Sequence, residues 1–144
     1  METAKTPIHL WIVGVLSLIW NAFGGYDYVM TQTNNAAYLE MFTPQQRAFF
    51  DSFPLWMEAT WAFGVWGAIA GSVLLLMRSR YAVLAFIVSL AGLALSTLWQ
   101  FGLSGANFGA IFGTRAIILN AVIWAVAILL LVYAWRQRSS GVLR

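Results

Sequence analysis

Four stretches of this chain run for about twenty residues each with almost no charge, and that property closes off most folds. Every residue from Leu10 to Tyr26 is uncharged. A second stretch follows Pro54 with Glu58 as its sole charge, a third begins at Tyr81, and a fourth follows Arg115. A hydrocarbon core about 30 Å thick is crossed by roughly 20 apolar residues in a helix. Backbone polar groups in lipid must satisfy one another within the segment, so such stretches are helical. The spacing predicts an all-α, membrane-spanning four-helix bundle with spans at about 8–30, 54–77, 81–103 and 115–135. Only 9% of the 144 residues are charged, against about 25% in soluble domains. Residues 1–144 therefore read as a single integral membrane domain, with no room expected for a soluble one. Lys5 precedes an apolar run as in a secretory leader, but no small-x-small cleavage site follows and Trp20 and Asn21 interrupt the tail, so span one is expected to remain.

Charge then orients the bundle. Lys5, Arg78, Arg80, Arg136, Arg138 and Arg144 fall on one side of it, and Arg47 and Arg115 on the other. The positive-inside rule places the larger group, and with it both termini, in the cytoplasm. The basic residues flank apolar segments and form no amphipathic basic face, so no nucleic-acid partner is expected. The chain has no cysteine, which excludes thiol-based membrane redox chemistry. His9 is its single histidine and the five carboxylates are scattered, so neither a metal site nor a cofactor is expected.

The long connection between spans one and two has local structure of its own. Thr43, Pro44 and Gln46 have the pattern of an N-cap, a first-turn proline and a capping-box partner. They open a short helix at about 43–53 that carries Phe49, Phe50 and Phe53. With Tyr38, Leu39, Met41 and Phe42 before it, the segment is expected at the outer membrane surface, as an interfacial anchor or as a lid. The connection 104–114 holds Gly105, Gly109 and Gly113 and no charge. Backbone of that kind enters the bilayer edge only under protein cover.

Polar side chains within spans are costly in lipid and usually face the bundle interior. At about 1.5 Å per residue, Asn21 is expected roughly 10 Å below the outer surface, Glu58 about 6 Å and Asn120 about 7 Å, with Asp27, Gln100 and Arg115 near the boundary. Trp20, Trp61 and Trp124 fall roughly 10 to 14 Å deep by the same rise. They would floor a periplasm-facing pocket whose candidate ligand-binding residues are Trp20, Asn21, Asp27, Glu58, Trp61, Gln100, Arg115, Asn120 and Trp124. The competing reading of these groups is interhelical hydrogen bonding that holds the bundle together. Helical spacing groups Trp20, Gly24 and Asp27 on one face, Glu58, Trp61 and Val65 on another, and Ser89, Gly92, Ser96 and Gln100 on a third. Glu58 is expected to be protonated or paired, and Arg115 to pair with Asp27 or Glu58. Gly67 and Gly71, extended by Gly64, permit close helix approach to span one, to span three or to a second copy. Trp11 and Trp135 at one edge, with Trp56 and Trp99 at the other, read as an aromatic belt.

The run WIVGVLSLIWNAFGGYDYVMTQT, followed by FTPQQ, FPLW and WQFGLS, resembles a family of small four-span bacterial inner-membrane proteins. Some of its members carry a sugar-transporter label. The resemblance covers nearly the whole chain and implies the four-span fold and a multi-pass location in the inner membrane. Nothing in the sequence resembles a nucleophile and base pair or a phosphate cradle, so no enzyme is expected. The reading that fits best is an accessory or assembly subunit of a membrane complex. The alternative is an oligomeric small-solute transporter using the aromatic and carboxylate pocket. The expected partners are the lipid bilayer and either further copies of the chain or a larger membrane complex.

Overall fold

The computed structural model describes residues 5–144. Four long helices dominate it: α1 (Ile8–Gln32), α4 (Leu55–Leu76), α5 (Ala82–Leu98, continued by a π-helical turn Trp99–Leu103) and α7 (Thr114–Ser139). Three short helices lie in the connections: α2 (Ala36–Leu39), α3 (Pro44–Asp51) and α6 (Phe108–Phe112). All four long helices are long and apolar enough to cross a membrane, and the chain is a multi-pass helical membrane protein built as a four-helix bundle. The expected spans agree with the helices to within a few residues. The largest difference is α7, which continues about a turn past Trp135 and carries Arg136 and Arg138 in its last turn, where cations oppose the negative end of the helix dipole.

The helices pack in the order α1, α4, α5, α7, each antiparallel to its neighbour, with α4 gripped between α1 and α5. Small residues set the α4–α5 distance. A methyl group added at Gly67 falls 3.0 Å from Ser89 N, and one added at Gly71 falls 2.5 Å from the Phe86 ring. The glycine step of span two is thus used within the chain, against span three. Ser89, Gly92 and Ser96 form the facing stripe and are buried, as their spacing suggested. Ser89 Oγ donates to the Gly64 carbonyl at 2.6 Å, and the Thr60 and Ser96 hydroxyls lie 3.3 Å apart. Each bond crosses the interface and satisfies a polar group away from lipid.

At one end of the bundle all four long helices converge. Leu10, Leu75, Phe86, Leu130 and Ala134 form a buried cluster there, joined by Val142 and Leu143 from the segment after α7. That segment is fastened by backbone: Arg144 N donates to the Arg78 carbonyl at 3.0 Å, and Arg80 N donates to the Arg144 carbonyl at 2.9 Å. Arg78 closes α4 with φ +55°, a left-handed turn that lets α5 start almost at once. His9 Nδ1 and Tyr133 Oη, 2.5 Å apart, tie α1 to α7 at this tail end.

The opposite end is capped by the connections. Thr43 and Gln46 form the expected capping box, each side chain bonded to the other's backbone N–H at 3.1 Å. Helix α3 lies on α6, and Gln46 Nε2 donates to the Ile111 carbonyl at 3.1 Å. Phe49, Met57 and Trp99 are buried between them with Phe50, Phe53, Phe108 and Phe112 packed around. The phenylalanines of α3 therefore face protein, across the ends of α4 and α5, and Ala106, Phe108, Ile111 and Phe112 of the 104–114 connection pack against this layer, while Gly105, Asn107 and Ala110 stay exposed. Trp99, expected in an exposed belt, is a core residue of the cap.

Candidate functional site

The nine candidate residues separate into three structural settings. Asn21 turns toward the middle of the bundle. Its Nδ2 donates to the Ala68 carbonyl at 3.1 Å and to Ser72 Oγ at 3.0 Å, while Ser72 Oγ lies 2.8 Å from Ser17 Oγ. Ser17 and Ser72 are buried, so this amide and two hydroxyls form a closed α1–α4 clasp at mid-span. The face of α1 that meets α4 is Gly14, Ser17, Asn21, Gly25 and Tyr28. The Trp20, Gly24 and Asp27 face is not the packing face: a methyl at Gly24 would meet nothing within 4 Å.

Asp27 and Trp61 belong to the underside of the cap. Asp27 Oδ1 accepts a hydrogen bond from the Tyr38 hydroxyl, which fastens α2 back onto α1. The Asn35 side chain caps α2 by accepting from Tyr38 N at 3.0 Å, so the residue is held by its backbone as well as by its hydroxyl. Burial first, and then the hydrogen bond to Asp27 and its negative charge, push the Tyr38 phenol well above its ordinary value. Tyr38 stands edge-on to Tyr26 and Phe42, and Phe42 edge-on to Phe50, which joins this latch to the phenylalanine layer. Trp61 stands edge-on to Tyr28 at 4.8 Å and to Phe53 at 5.9 Å.

The remaining candidates are dispersed. Trp124 Nε1 donates to Thr97 Oγ1 at 3.1 Å and pins α7 to α5. Trp20 is half-buried on α1, and among the described residues no ring contact joins Trp20, Trp61 and Trp124 into a floor. Glu58 is half-buried in the first turn of α4, Gln100 half-buried in the π-helical turn, and Asn120 half-buried on α7. Arg115 is exposed at the start of α7 and makes no ion pair with Asp27 or Glu58. The expected pairing is therefore absent: an arginine at the membrane boundary reaches water along its own stem, and hydration there competes with a weak exposed pair.

Sequence reasoning missed two features. One is Tyr38 as the partner of Asp27, because helix α2, which presents it, is a single turn with a weak local signal. The other is a hollow on the outside of the α4–α5 pair, about 570 Å³ in volume, walled by Phe63, Trp66, Tyr81, Leu84 and Val88. A smaller hollow of about 330 Å³ lies beside Met77, Arg78, Ser79 and Arg144. None of the nine candidates lines either one. The chain matches no protein-family model, no curated protein and no solved structure.

Proposed function

We propose that this chain is an accessory or assembly subunit of a bacterial inner-membrane complex, oriented with both termini in the cytoplasm and working without a cofactor. The observation that carries the reading is the exposed face of α7. The most apolar stretch of this helix has a mean hydropathy of 2.6, yet only 6% of it is buried. Ile118, Val122, Leu129 and Val132 are exposed, with Ala125 between them. Their alternating spacing of four and three residues is that of a helix–helix seam, with a small residue at its centre to admit a neighbour. Three of the groups that a solute pocket would use, Asn21, Asp27 and Trp124, are engaged within the fold. The six-to-two division of cations supports the orientation.

The test is purification in mild detergent, with and without Ala125→Trp, a substitution that fills the centre of the seam. A stoichiometric second polypeptide retained by the wild type and lost from the variant supports the proposal. Isolation of the chain as a lone homo-oligomer that takes up a small solute when reconstituted overturns it in favour of the transporter alternative.

A further inference from the structure

The hollow on the α4–α5 pair has a length, an apolar lining and a charged end, and together they define an occupant. It extends along α4 from Ala62 to Leu74, about 18 Å at the helical rise per residue. That is close to the roughly 15 Å depth of one leaflet, half of a 30 Å hydrocarbon core. The hollow thus matches in length a hydrocarbon chain lying within one leaflet. Ala70 and Ala85 form its floor, and the bulkier Phe63, Trp66, Tyr81 and Leu84 form its walls. Its lining is apolar throughout, apart from the tyrosine at the end.

That end is where charge enters. Tyr81 closes the hollow at the tail end of the bundle, and the Arg80 guanidinium stands over its ring, 5.2 Å from the centroid. Arg80 Nη2 also donates to Tyr81 Oη at 3.4 Å. Arg80 is exposed, so its charge is open to a ligand beyond the ring. Just behind them lies the N-terminus of α5, where the helix dipole adds partial positive charge.

We infer that the α4–α5 hollow is a binding site for an anionic phospholipid, with one acyl chain lying along Ala70 and Ala85 and the phosphate held at Arg80. An uncharged lipid matches the hollow but not its end, and a free anion matches the end but not the hollow. The site lies on a different surface from the α7 seam and does not depend on the subunit reading.

The experiment is native mass spectrometry of the detergent-purified chain titrated with phosphatidylglycerol or phosphatidylcholine. A phosphatidylglycerol with a photoreactive acyl chain then maps the contact. The expected result is preferential retention of one phosphatidylglycerol, with cross-links at Trp66 or Phe63. Arg80→Gln should lower phosphatidylglycerol occupancy about fivefold, the value of one surface arginine against an anionic lipid, and leave phosphatidylcholine unchanged. Ala70→Phe, which fills the floor, should reduce both lipids. Equal retention of the two lipids, indifference to Arg80→Gln, or cross-links spread over α1 and α7 would overturn the site. A wild-type dimer that Ala70→Phe converts to monomer would assign the hollow to a second copy and would overturn it equally.

Discussion

Gly92 rests directly on the backbone of Gly64: a methyl group added at position 92 would fall 2.6 Å from Gly64 N and 2.5 Å from the Thr60 carbonyl oxygen. Both obstacles are main chain, so relief requires α4 and α5 to separate along their whole contact. Gly92→Ala is therefore expected to destabilise the bundle by about 1–3 kcal/mol, the usual cost of overpacking. Gly24→Ala is the control, since nothing lies within 4 Å of the added methyl. Its effect should be neutral or stabilising by up to about 1 kcal/mol, because helical glycine is entropically costly. Denaturant unfolding in detergent micelles measures both, and equal effects would mean that the α4–α5 contact is looser than described.

The Asn21, Ser72 and Ser17 clasp is expected to couple α1 to α4 energetically. Hydrogen bonds between membrane helices average about 0.6 kcal/mol and reach about 1.7 kcal/mol. A double-mutant cycle combining Asn21→Ala with Ser72→Ala should return a coupling in that range. Asn120→Ala combined with Ser72→Ala should be additive, because Asn120 lies on α7, outside the clasp. Additivity in the first cycle would show that the clasp does not contribute to folding.

Tyr38 sets a pH dependence whose sign follows from its shift. Its phenol ionises at a higher pH in the folded protein than its ordinary 10.0, so folding favours the neutral form. The stabilisation is fully present below pH 10.0 and is lost as pH rises through the folded value. Thermal stability of the wild type should accordingly fall above that pH, and Tyr38→Phe should flatten the fall while loosening α2. Limited proteolysis at Asn34 and Asn35 reads the loosening. A variant with the wild-type alkaline profile would remove Tyr38 as its cause.

The orientation is open to a direct measurement. Reporter fusions at Ser79 and after Arg144 should share one side of the membrane, since Arg78, Arg80 and Arg144 are joined by backbone hydrogen bonds at one end of the bundle. Fusions near Asn35 and Asn107, in the two capping connections, should share the other. The cation distribution places the first pair in the cytoplasm. A periplasmic signal after Arg144 would invert the bundle, and disagreement within either pair would break the four-span topology itself.

What the sequence determined by itself was whatever depends on distance along the chain. The four spans were legible because a bilayer sets a minimum apolar length. The start of α3 was legible because the capping box of Thr43 and Gln46 closes within four residues. Depth was partly legible too, since each residue of a helix adds a constant rise. Azimuth was not, and only the tertiary structure decided it. In a soluble helix apolar periodicity marks the buried face, but lipid is as apolar as a protein core, so a membrane helix carries little such contrast. Hence Asn21 turned away from Asp27 toward Ser72, although both lie on α1. Hence also the glycines at 64, 67 and 71, which permitted three partners, found theirs in α5 through the contact of Gly64 with Gly92. Arg115 was free to stay in water, because an arginine at the membrane boundary needs no partner to avoid the cost of burial.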